Sequence, residues 1–593
     1  MKLSRHYLSL IGVLFLGAIL RFWNLDLKPV WLDEVITALF SLGRNYYDVP
    51  LNEAFSLSAL EKVFTLNPQT SCAQIAQTVS SQSVHPPLFF CWMHDWMRWV
   101  NALPASWIWK LRALPAFIGV VAIAALYQFN RLAFSSRAGL TGAIVMAVSP
   151  FAVYLSQEAR HYTLPMLLVI LALLGLYQIQ TDLYRQQLRP DVWFGWVITN
   201  SLGFYVHYFF LLAFFAQVAT LVVNILTFTS LPTLHPTPYT LHPRRALIAV
   251  ALATTGICLT YLPWLPTFLS HISRPETDWM KPSNPDWIDQ IAPLYQFPMG
   301  WILMTIALPV ENQPQPVAIA MVLLMLLFTV WLLWRLSGRF GQLWSTPETH
   351  LATRMLTVFT LWVLLEFLVI IFGLGKDITS VPRYNFLYFP AVCALVGACL
   401  AQSRGKTTGE WRSQTLGSVT WAVLLVGLLS SVLVVSNQAF LKPYQPDQVA
   451  RDVRPVADRS LLMGMAYGNW QEVALGLSFG LALHDQTRES VGISARHDFA
   501  FVPQFPLDTL LMPKASDRPA AQLSYENVWR NLSILKPPLT APLDFWMVSP
   551  GLMRDGYPAS LKLLASTKTT INCQIDKAGY HRRGVPYQRY RCP

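Results

Sequence analysis

Hydrophobic residues along the 593-residue chain gather into long blocks joined by short polar connections. Eleven blocks are long enough to cross a bilayer, or nearly so: 7–22, 111–129, 138–155, 162–180, 192–206, 208–228, 246–266, 317–336, 355–373, 384–401 and 418–436. Two further stretches are ambiguous. Residues 86–103 read as an aromatic-rich helix, but they carry His94, Asp95 and Arg98, and counting them as a span inverts every later connection. They are expected to lie in the outer interface as an amphipathic helix. Residues 291–310 are interrupted by Pro293, Pro298 and Pro309 and are expected to be re-entrant or interfacial. The pattern predicts an α-helical polytopic membrane protein with about 11–13 transmembrane helices.

The pattern changes in two places. Residues 23–110 form a first outer loop too long to be a plain connection, and the run from Ser71 to Ser80 within it reads as a short capped helix. From Asn437 onward a charged stretch, 447–459, gives way to short apolar runs at 460–467, 543–549 and 561–564. The expected division is a transmembrane domain over 1–436 and a small C-terminal α/β or mostly β domain over 437–593. No internal repeat is apparent.

Composition agrees with this reading. Hydrophobic residues make up 53% of the chain and charged residues 13%, against roughly a quarter charged in soluble domains. The net charge of +12 is spread over short connections, so nucleic acid is not expected as a partner. With Lys2 and Arg5 in the cytoplasm, the groups Arg131/Arg137, Arg185/Arg189, Arg244/Arg245, Arg335/Arg339/Arg354 and Arg404/Lys406/Arg412 all fall on the cytoplasmic side. The expected location is the inner (plasma) membrane, multi-pass, with the C-terminal domain extracytoplasmic. Arg21-Phe22-Trp23 follows the first block in place of a small-residue cleavage site, so that block is expected to stay as a span. The seven cysteines show no metal-type spacing; Cys258, Cys393 and Cys399 fall in apolar blocks, and Cys573 and Cys592 are placed to pair in an oxidising compartment.

With that topology, the polar groups that stand out share one face. Asp33 and Glu34 follow the first block between Trp23 and Trp31, at an interface position. Glu158, Arg160 and Tyr162 lie where one block ends and the next begins, with Glu158 and Tyr162 on one face if that turn is helical. The plainer reading of each is an interface loop or a helix-end ion pair. His85, before paired prolines, serves equally as a helix cap, and Arg112 equally as a headgroup anchor. His207, Lys376, Asp377, Arg383 and Tyr384 return to the same surface. Glu366, isolated in a span, is read as a helix–helix hydrogen bond and left out of the site. Carboxylates beside arginines suit group transfer from a lipid phosphate: the acid takes a hydroxyl proton, and the arginines stabilise the departing phosphate.

Trp31-Leu-Asp-Glu34, His85-Pro-Pro-Leu88, Leu111-Arg-Ala-Leu-Pro115, Ser149-Pro150 with Tyr154-Leu-Ser-Gln-Glu-Ala-Arg-His-Tyr162, His207-Tyr208 and Val381-Pro-Arg-Tyr384 occur in this order over about residues 20–390. The set resembles the GT-C glycosyltransferases of the protein O-mannosyltransferase / aminoarabinose transferase superfamily, in particular the bacterial RgtA/B/C/D-like, family 39-like branch. The resemblance implies transfer of a sugar, usually with inversion, from a polyprenyl monophosphate to an extracytoplasmic acceptor at the bilayer. By motif, Asp33 would be the general base and Glu34 would orient acceptor or donor. His85, Arg112, Glu158, Arg160 and Arg383 would line the donor site, with Tyr162, His207 and Tyr384 beside them. The family is divided on metal use, so a divalent metal ion stays open; no nucleotide cofactor is expected. The position before the last tyrosine, frequently Met or Pro in the family, is His161 here.

A polyprenyl-linked-sugar flippase or other transporter is the competing class. It should show repeated halves and polar residues near the bilayer midplane. Here the charges collect at one surface, which favours the enzyme.

Overall fold

All eleven apolar blocks are helical in the computed structural model, which describes residues 5–228, 243–274, 287–402, 417–454, 459–489, 496–506, 523–537, 539, 541–564 and 569–593. Arg404, Lys406, Arg412 and the middle of the 267–316 connection lie outside these residues. The chain divides into two compact units. One comprises Met1–Leu27, His85–Phe89 and Arg112–Phe440; the other comprises Lys28–Val84, Phe90–Leu111 and Leu441–Pro593.

The first unit is helical. Among the described residues seven helices are long and apolar enough to cross a membrane, or nine if each of two bent pairs counts as one span. The expected span at 138–155 is one such pair. Ser136–Val148 stops and Pro150–Ser156 restarts at 61° to it, because Pro150 has no N–H and disfavours helical backbone at Ser149. The break leaves helix carbonyls to be satisfied, and side chains satisfy them. Arg21 donates to the carbonyls of Met146 (2.9 Å) and Ala147 (3.1 Å), and Ser431 donates to that of Val148 (2.9 Å). The pair around Pro263, Arg244–Tyr261 and Leu265–Ile272, bends by 78°. By contrast, Trp287–Thr305 continues through Pro293 and Pro298 as one helix, so the expected breaks do not occur there.

Helices Ser136–Val148 and Phe389–Ala401 cross at their small residues. A Cβ on Gly397 would meet the Gly142 backbone, so the two chains touch directly. Polar side chains seal the crossing: Thr141 donates to the Gly397 carbonyl (2.6 Å), and Asn130 donates to the carbonyls of Ala138 (3.2 Å) and Ala394 (3.0 Å).

The second unit is built on a seven-stranded sheet. Its strands are β1 (Ala54–Ser56), β2 (Ser460–Tyr467), β3 (His497–Pro503), β4 (Leu543–Val548), β5 (Ser560–Leu564), β6 (Thr570–Arg583) and β7 (Val585–Cys592), ordered β1-β3-β2-β4-β7-β6-β5. The three central strands β3, β2 and β4 are parallel and the other pairings antiparallel. The run 460–467 is buried almost end to end, which fits a central parallel strand covered on both faces. Helix Trp470–Glu489 supplies the crossover from β2 to β3.

Most of the first outer loop, residues 28–84 and 90–110, belongs to this unit, which departs from the expected division at residue 436. The cause is strand pairing: β1 lies antiparallel on β3 with Phe55 opposite Phe499, and Tyr46 stacks on Trp470 at 5.0 Å between ring centroids. Disulfides Cys72–Cys91 and Cys573–Cys592 close loops within the same unit. The segment expected to lie in the interface forms a 12-residue helix, Leu88–Trp99, roughly 18 Å long and too short for a hydrocarbon core of about 30 Å.

Candidate active site

The candidate residues fall into two groups, one in each unit. In the second unit, Asp33 and Glu34 open helix Leu32–Ser41, where the helix dipole favours negative charge. The two carboxylates have different surroundings. Glu34 is fully buried, and the buried ammonium of Lys442 lies 3.9 Å from its Oε2. The same ammonium sits 5.5 Å above the centre of the Trp31 ring. Asp33 keeps partial access to solvent. The two carboxylates thus differ in access to solvent.

The first unit gathers the other group around the turn 157–162. This turn is not helical, so Glu158 and Tyr162 do not share a helix face as supposed. Gln157 instead anchors it, donating to the Trp23 carbonyl at 2.8 Å. Glu158, Arg160, His161 and Tyr162 are all buried. The Arg160 and Arg383 guanidinium carbons lie 5.7 Å and 5.8 Å from the centre of the Tyr162 ring. Arg383 also hydrogen-bonds Tyr154, and Tyr154 stacks on Phe440 at 4.4 Å. Tyr384 packs edge-on to His207 and Phe209. Arg112 is completely buried and donates to the Leu25 carbonyl at 2.9 Å.

Three imidazoles sit among these cations. His161 lies 5.3 Å from His85 and 4.6 Å from His207 between ring centroids. Arg160 Nη2 is 3.1 Å from His85 Nε2; a guanidinium only donates, so His85 accepts there and carries its proton on Nδ1. His207 Nδ1 accepts from the Phe209 N–H at 3.0 Å, which leaves its proton on Nε2. Burial, with Arg160 and Arg383 adding to it, lowers the His207 pKa to about 3. The cluster thus holds neutral rings between fixed cations. No group of three or more His, Cys, Asp or Glu among the described residues is arranged to hold a metal ion.

An apolar cavity of about 260 Å³ adjoins this cluster, lined by Met299, Ile302, Leu303, Met325, Pro382 and Phe440 among others. Pro382 directly precedes Arg383, and Phe440 carries the Tyr154 stack, so the cavity lies one residue or one ring from the cluster; among the described residues its one charged lining residue is Glu311.

Residues 84–258 match the model of the dolichyl-phosphate-mannose-protein mannosyltransferase family, a stretch that contains His85, Arg112, Glu158, Arg160, Tyr162 and His207. That stretch is similar to a family of membrane glycosyltransferases, and the similarity favours the enzyme reading over the flippase. No curated relative matches this chain by sequence. Among solved structures it is similar to ArnT from Cupriavidus metallidurans in the apo state, with a TM-score of 0.47 and 10% identity over 91% of this chain and 92% of that one. It is similar also to the same protein bound to undecaprenyl phosphate, with a TM-score of 0.46 and 10% identity over 98% and 97%. A third likeness is to the Archaeoglobus fulgidus oligosaccharyltransferase in complex with Zn and sulfate, with a TM-score of 0.45 and 13% identity over 91% and 68%.

Sequence reasoning missed Lys442, Tyr154 and the place of His161 in the cluster. His161 had a signal, its departure from the family motif. Lys442 had none, since it reaches Glu34 from about 400 residues away.

Proposed function

We propose that this protein is a glycosyltransferase that takes its sugar from a polyprenyl-phosphate carrier and transfers it to a hydroxyl of an extracytoplasmic acceptor, with Asp33 as general base. The observation that carries the donor reading is a pair of cations near an apolar space: Arg160 and Arg383 both lie against Tyr162, and Pro382, next to Arg383 in the chain, lines the cavity with Phe440. Two guanidinium groups suit a phosphate, and the cavity suits the first isoprene units of its tail.

In the reaction the acceptor O–H proton passes to Asp33 and the acceptor oxygen bonds to the anomeric carbon. The bond from that carbon to the phosphate oxygen breaks, and polyprenyl phosphate leaves with a second negative charge. Arg160 and Arg383 stabilise that charge where it develops. Asp33 is assigned the base because it keeps access to solvent, where the proton can leave, whereas Glu34 is fully buried. Disulfides in the second unit support an oxidising compartment for the acceptor side.

Sugar transfer in membrane vesicles, with a panel of radiolabelled polyprenyl-phosphate sugars, tests this. Asp33→Asn is expected to lower turnover by about 10²–10⁴-fold with donor binding kept. Undiminished transfer by the variant removes the base assignment. A wild type that accepts sugar from none of these donors removes the donor reading.

A further inference from the structure

Within the histidine cluster, His161 differs from its neighbours. It is 1% exposed, and neither ring nitrogen has a hydrogen-bond partner among the described residues. Burying an imidazole N–H and lone pair unmet is costly, so the pair is suited to a ligand that satisfies it. His85 and His207 each accept a hydrogen bond that protonation would break. His161 has no such commitment, so it is the ring in the cluster free to change its proton count.

We propose that His161 is a proton-accepting ligand of the donor phosphate. It meets the sugar phosphodiester as a neutral imidazole, and takes up one proton when the departing polyprenyl phosphate acquires its second negative charge. This rests on the polyprenyl-phosphate donor reading above. The balance closes without exchange between the two units' acids and bases. The acceptor proton goes to Asp33 and on to solvent, and the His161 proton comes from solvent as the phosphate passes from one negative charge to two.

The surroundings supply the switch. Burial holds the His161 pKa well below the usual value, and the Arg160 and Arg383 cations reinforce it; the Tyr162 and Phe89 rings complete the walls. A bound dianion reverses the sign of the local field, and the ring then gains more from charging than it loses. Product is held most tightly when protonated His161 faces it, so loss of that proton favours release.

The test uses the full-length protein in nanodiscs, titrated calorimetrically with farnesyl phosphate and with its methyl diester in buffers of different ionisation enthalpy. Free phosphate monoesters have a second pKa near about 6, so above about pH 7.5 the free ligand is already a dianion. Wild type is expected to take up about one proton per monophosphate and none per diester. Its monophosphate affinity should fall about tenfold between pH ~7.5 and ~8.5, and the ³¹P shift of the bound ligand should report a dianion. His161→Gln and His161→Met should keep diester affinity, lose the proton uptake and show flat monophosphate affinity.

Uptake that persists in both variants, a monoanionic ³¹P shift, or binding by wild type without uptake overturns the proposal. Loss of diester binding in both variants makes His161 a packing residue and overturns it too. If wild type binds neither ligand, the donor reading itself falls.

Discussion

The two units of this protein treat charge in opposite ways. In the first unit Arg21, Arg112, Glu158 and Arg160 are all buried to 2% exposure or less. In the second, ion pairs such as Arg451–Asp447 at 2.8 Å and Arg488–Glu61 at 3.0 Å lie at the surface. Thiols divide the same way. Cys258, Cys393 and Cys399 of the first unit are free, and the two disulfides belong to the second. Removing a charge from water costs several kcal/mol even after relaxation, whereas a surface pair contributes about 0–1 kcal/mol. Buried charge thus marks where a fold has been held to something other than stability. The second unit's Glu34–Lys442 pair breaks its own pattern and lies next to the proposed base.

The largest effect that would sharpen this contrast comes from that exception. Lys442→Met leaves Glu34 buried without its lysine and should destabilise the protein by about 3–5 kcal/mol, with most of the loss recovered in Glu34→Gln/Lys442→Met. Thermal unfolding of the single and double variants decides it; equal losses would deny the coupling. Arg383→Gln should lower kcat/KM by about 10²–10³-fold with little change in unfolding, read in the vesicle assay. Equal loss of fold and activity would make Arg383 a structural residue. Removing a cross-link by Cys72→Ser/Cys91→Ser should cost about 2–4 kcal/mol, and reductant should then shift its unfolding less than that of wild type. Asp447→Asn removes the partner of Arg451. It should shift stability by no more than about 1 kcal/mol and leave transfer untouched. A large effect there would dissolve the comparison.

Legibility follows the range of the interaction. Helices were visible because apolar blocks are local, and β2, β4 and β5 because short apolar runs are local too. The place of the first outer loop was not visible. Its strand β1 is three residues long and pairs with a partner more than 400 positions away, which no periodicity reports. Cys72–Cys91 was hidden for a related reason: Cys91 sits in a segment read as interfacial helix, and helix pattern says nothing of a neighbour. Pro150 was in plain view, but the break it makes becomes intelligible only when Arg21 and Ser431 are seen satisfying the freed carbonyls. In the candidate site the motifs named most of the clustered residues. They did not show that the turn carrying Arg160 is non-helical, nor that three imidazoles meet there.

The contact between Gly142 and Gly397 sets an alignment tolerance for the chemistry. One glycine sits in the helix that leads, through the Pro150 break, to Arg160; the other sits in the helix that follows Arg383. The crossing is therefore a datum from which both guanidinium groups are positioned. A methyl added at Gly397 would meet the Gly142 backbone, and one added at Gly142 would meet the Asn130 side chain that ties the two helices together. Either would put Arg160 and Arg383 out of register with each other although it alters neither.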